Sequence, residues 1–131
     1  MINIAKNSVF KLKEIPIHEV REDALQTLTP DEEILGAFRT FRDQFIFTDR
    51  RIITVDVEGI TGSRVSFATI PYNSIIFYSV QVPSFLEFIF PDKGLILHFA
   101  NGVRFRFEFS KDVNIQKISQ CIANQSNIIS V

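Results

Sequence analysis

A chain of 131 residues, 46% hydrophobic and 22% charged, has the length of one domain and enough apolar mass for a core. Its net charge of -1 argues against a nucleic-acid footprint, and its single cysteine, Cys121, excludes an internal disulfide or a thiolate metal cage. No apolar run reaches the ~18–20 residues of a membrane span, and no basic leader precedes an apolar run, so a cytoplasmic protein is expected.

Residues 1–14 are mixed in character and are read as an N-terminal segment outside the domain proper, which then runs over 15–131. From Pro16 the spacing predicts a helix. Ile17, Val20, Ala24, Leu25 and Leu28 recur at steps of three and four, and Thr29-Pro30-Asp31 ends the run. After Glu33 the period becomes two. Ile34–Phe41, Gln44–Thr48 and Arg51–Asp56 read as strands joined by short turns at Arg42-Asp43 and Asp49-Arg50. The next turn carries Gly59 and Gly62, and Arg64–Ile70 follows as a strand that Pro71 ends.

Further strands are expected over Ser74–Val82, Phe85–Phe90, Leu95–Phe99 and Val103–Phe109. The last two flank Asn101-Gly102, the strongest short-range hairpin signal. Phe105, Phe107 and Phe109 fall on one face of the last strand; Arg104, Arg106 and Glu108 fall on the other. With 14 Phe and no Trp, the core is expected to be built on phenylalanine rings. A final helix begins near Asp112, with Ile115, Ile118 and Ile122 as its apolar stripe. One amphipathic helix of this kind can plug one mouth of a strongly bent antiparallel sheet.

The blocks Phe47-Thr48-Asp49-Arg50-Arg51-Ile52-Ile53-Thr54-Val55-Asp56, Gly59-Ile60-Thr61-Gly62, Ile70-Pro71-Tyr72-Asn73-Ser74-Ile75 and Tyr78-Ser79-Val80 resemble the bacterial pleckstrin-homology (PH-like) domain family. The likeness covers roughly residues 15–125 in layout. It implies a mainly β fold, a partly open barrel of two orthogonal antiparallel sheets with about seven strands, capped by the C-terminal helix. The N-terminal helix would be an addition. The resemblance also implies ring-like homo-oligomers. The apolar run Ser84–Phe90 stands where the family carries an acidic stretch.

No catalytic frame is present. Gly59-Ile60-Thr61-Gly62 lacks the Lys-Ser/Thr of a phosphate loop, His18 and His98 stand alone, and no cofactor or metal is implied. Cys121 lies beside the isoleucine stripe, as a small buried hydrophobe does. Two surfaces remain as binding candidates. Arg39, Arg42 and Arg64 invite an anionic-ligand reading, such as a peripheral membrane surface. Successive hairpin turns alternate between sheet ends, however, so Arg42 and Arg64 lie near one end and Arg50 and Arg51 at the other, ~20 Å away. The second candidate is apolar on both faces, where a one-sided sheet alternates. It comprises Ile75 and Phe77 in one strand and Phe85, Leu86, Phe88 and Phe90 in the next. Such residues mark an oligomer interface or a core covered from both sides. The expected function is a non-enzymatic assembly module that forms a homo-oligomer. A protein or peptide partner at a sheet edge and an anionic lipid headgroup are the alternatives.

Overall fold

Alternation of large apolar with polar residues makes strands over most of the chain, and short polar turns fold them into antiparallel neighbours. In the computed structural model, residues 7–83 and 92–125 are described. The strands are β1 (Asn7–Ile15), β2 (Ile34–Arg39), β3 (Gln44–Thr48), β4 (Arg51–Glu58), β5 (Arg64–Pro71), β6 (Ile75–Gln81), β7 (Lys93–Phe99) and β8 (Arg104–Phe109). They form one curled sheet in the order β5-β4-β3-β2-β1-β8-β7-β6. The helices are α1 (Glu22–Leu25) and α2 (Ile115–Gln125).

The segment set aside as residues 1–14 contains an element that the sequence did not announce. β1 joins the two halves of the sheet. Its residues Asn7 to Leu12 run parallel to β8, and Lys13 to Ile15 pair antiparallel with Arg39 to Ala37 of β2. The alternation of buried Leu12 with exposed Lys11 and Lys13 was the available signal. Its β8 partner lies 97 residues away, from Asn7 to Arg104, which no local pattern reveals.

The inner face holds the phenylalanines. Phe38, Phe45, Phe47, Phe105, Phe107 and Phe109 are buried with Leu95 and Leu97. Their rings meet edge to face, with centroids 5.0 Å apart for Phe38 and Phe109 and 5.4 Å for Phe47 and Phe107. Ile115, Ile118 and Ile122 of α2 close this core, as their spacing predicts.

The outer face of β2–β4 forms a second cluster of Ala37, Ile46, Ile53 and Val55, with Ile15, Val20 and Ala24 packed over it. Here the expected helix from Pro16 is corrected. The chain makes a short 3-10 turn at Ile17–Glu19 and then the four-residue α1. The side chain of Gln44 explains the break. Its amide donates to Glu19 O at 3.0 Å and its oxygen accepts the Arg21 N–H at 3.0 Å. Main-chain groups that a helix would pair internally are thus held by β3, and a helix this short has little cooperativity with which to compete. Val20 and Ala24 still cover the sheet; Ile17 is exposed.

Candidate functional site

The densest family-like block proves to be an internal clasp. Arg51, at the start of β4, grips Glu32 with two bonds, Nε to Oε2 and Nη2 to Oε1, each 2.9 Å. The same guanidinium reaches Thr27 O at 2.7 Å and Thr69 Oγ1 at 3.0 Å. The buried Thr48 hydroxyl donates to Glu32 Oε2 at 2.6 Å and accepts the Arg51 N–H at 3.0 Å. The Glu32 side chain is 1% exposed. The Arg51 guanidinium, aided by Thr48 and the Thr29 N–H, outweighs burial and lowers its carboxyl to about 2. Tyr72, in the 3-10 turn after β5, donates to Thr48 O at 2.7 Å from a fully buried position. Burial pushes its phenol far above the ordinary range. These residues tie the 16–33 segment and the β5–β6 turn to the β3–β4 hairpin.

The candidate arginines separate. Arg42 Nη2 donates to Gly59 O at 2.5 Å, and Arg64 stands opposite Glu58 across β4 and β5. Both therefore belong to the turn after β4, as expected, and Arg51 marks the other end. Arg39 joins a different group. It lies opposite Lys13, and with Lys11 they line a groove of about 610 Å³ beside Phe41, which is 93% exposed. Lys11 and Lys13 were missed because strand pairing, not sequence proximity, brings them to Arg39.

The apolar candidates also divide. Ile75 is a core residue at 4% exposure, which corrects its placement on an interface. Phe77 points outward and stacks on His98, with ring centroids 3.9 Å apart. Around it the edge strand exposes Ile76 (60%), Phe77 (57%), Val80 (38%) and, just beyond, Val82 (64%). A register irregularity between Ile75 and Phe77 explains the misreading, because one extra residue shifts which side chains face out. Phe85, Leu86, Phe88 and Phe90 lie outside the described residues.

A second groove, of about 490 Å³, opens between β5 and the β7–β8 turn. Phe45, Ile70, Phe99 and Phe105 line it around Thr54. Among the described residues no three of His, Cys, Asp and Glu gather as a metal cluster. Burial raises the Cys121 thiol above its ordinary value, which works against a reactive thiolate. No helix among the described residues is long and apolar enough to cross a membrane.

Comparison with known proteins agrees with this architecture. YjqA of Bacillus subtilis (strain 168), described as uncharacterized, is 44% identical over 62 residues, 47% of this chain. The chain thus spans only half of that relative's length. YozO of the same strain, also described as uncharacterized, is 29% identical over 91 residues, covering 70% of this chain and 75% of YozO. Among solved structures, a DUF1696 family protein with a pleckstrin-homology domain from Shewanella loihica PV-4 superposes with a TM-score of 0.66 at 27% identity. That match covers 89% of this chain and 98% of the other. A pleckstrin homology domain from Shewanella amazonensis SB2B gives 0.52 at 28% identity, over 79% and 82%. The family model described as bacterial PH domain matches residues 3–126, which span the whole described sheet and its helix, and the chain belongs to that family.

Proposed function

We propose that this PH domain is a non-enzymatic cytoplasmic assembly module that self-associates through the edge strand β6. The observation that carries the reading is the row Ile76, Phe77, Val80 and Val82, exposed on or just beyond a strand whose pairing among the described residues is with β7 alone. A long apolar edge invites pairing with another chain, and soluble monomers usually blunt such edges with charge or proline. β5 is the opposite edge of the same sheet. Pairing of β6 with the β5 edge of a neighbour is heterologous and can repeat until it closes, which accords with the rings that the family resemblance implies. Light scattering at micromolar concentration tests this. A discrete oligomer is expected for the native chain, and Phe77→Lys should yield a folded monomer. A strictly monomeric native chain refutes the proposal.

A second reading has its own support. Lys11, Lys13 and Arg39 gather beside the exposed Phe41, a combination suited to an anionic surface with an apolar interior. Sedimentation with vesicles rich in anionic lipid should then occur at low salt and fall as ionic strength rises. Absence of binding at low ionic strength removes this reading.

A further inference from the structure

We propose that the groove between β5 and the β7–β8 turn is a binding site for a neutral, largely apolar small molecule carrying one hydroxyl or carbonyl group. Three observations lead there. The groove has about 490 Å³, inside the ordinary range for small-molecule sites. Its walls are Phe45, Ile70, Phe99, Val103 and Phe105, and among the described residues no charged side chain lines it. An ionised ligand would lose its hydration there without a counter-charge.

The third observation is Thr54. It is 6% exposed, lines the groove, and its hydroxyl has no hydrogen-bond partner among the described residues. The side chain is largely buried while its oxygen stays in reach of solvent through the groove, so a ligand that displaces water there gains by replacing its hydrogen bond. The other polar groups of the rim are already engaged. Thr69 Oγ1 accepts from Arg51 at 3.0 Å, Ser74 donates to Pro71 O at 2.6 Å, and Asn101 Oδ1 accepts the Val103 N–H at 3.1 Å. Those three side chains stand on the exposed rim, so among the described residues Thr54 is the one buried polar side chain that lines the groove. The topology explains why the space exists. α2 packs its isoleucines into the core beside Phe109 and Val113, while the groove lies toward the Asn101-Gly102 turn, at the far end of β8. This site rests on the groove and not on the β6 reading, although its β5 wall is the edge to which a neighbour's β6 is proposed to pair.

The test uses the full chain with the neutral fluorescent probe N-phenyl-1-naphthylamine, displaced by decanol or by decanoate. The probe should bind one per chain, and decanol should displace it far better than decanoate does. Thr54→Val, which keeps the shape and removes the hydroxyl, should weaken decanol about fivefold and leave the probe unchanged. Ala68→Trp, on the exposed edge of the groove, should abolish binding of both while the melting curve stays native. Four results would overturn the proposal. These are undiminished probe binding in folded Ala68→Trp, equal displacement by decanoate, no effect of Thr54→Val on decanol, and probe binding that falls as protein concentration rises. The last would assign the groove to a second copy.

Discussion

Replacing Glu32 by Gln isolates the charge in the clasp that holds the 16–33 segment on the sheet. The carboxyl lies at about 2 in the folded chain against an ordinary value of 4.5. At 1.36 kcal/mol per unit, that difference corresponds to about 3 kcal/mol of stability at pH 7. Little solvent discounting applies, because the Glu32 side chain is 1% exposed. The folded value is the depressed one, so this stability is complete above 4.5 and is lost as the pH falls toward 2. Glu32→Gln keeps the size of the side chain and an oxygen for Thr48, but leaves Arg51 without a counter-charge. Urea unfolding of both chains should give a difference of about 3 kcal/mol at pH 7 that shrinks by more than half at pH 3. A difference below about 1 kcal/mol at pH 7, or one that does not change with pH, would refute the assignment of Glu32 as a buried, paired carboxylate.

Three further substitutions probe the frame. Tyr72→Phe removes the buried bond to Thr48 O and should cost about 1–3 kcal/mol in the same assay. Ile118→Ala opens a cavity under α2 and should cost about 2–5 kcal/mol, with loss of near-ultraviolet aromatic signal if the phenylalanine core loosens. Gly102 turns the β7–β8 hairpin at φ 82, so Gly102→Ala should cost about 1–2 kcal/mol. Gly102→Asn should cost less, because asparagine tolerates that region. Thermal melts rank the two directly.

Much of the frame was legible in the residues. The Asn101-Gly102 hairpin, the Phe105-Phe107-Phe109 face and the Ile115-Ile118-Ile122 stripe depend on contacts between near neighbours or on periodicities of two and 3.6, and each appears where its pattern places it. The division of the arginines between sheet ends was legible for the same reason, since consecutive hairpins must alternate. The helix from Pro16 was not, because Gln44 takes up the main-chain groups on which a helix would depend.

The sequence by itself determined most element types after Glu33, the inward faces of most strands and the family. Those follow from periodicity, turn chemistry and ordered blocks of residues. Tertiary structure alone decided which surfaces remain for binding. β1 pairs across the chain with β8, an irregularity in β6 buries Ile75 and exposes Ile76, and strand pairing sets Lys11 and Lys13 beside Arg39. It also leaves the Thr54 hydroxyl within an apolar groove. In each case the deciding contact joins residues far apart in the chain, and register fixes which face a side chain takes. A one-residue shift in that register cannot be read from the local pattern.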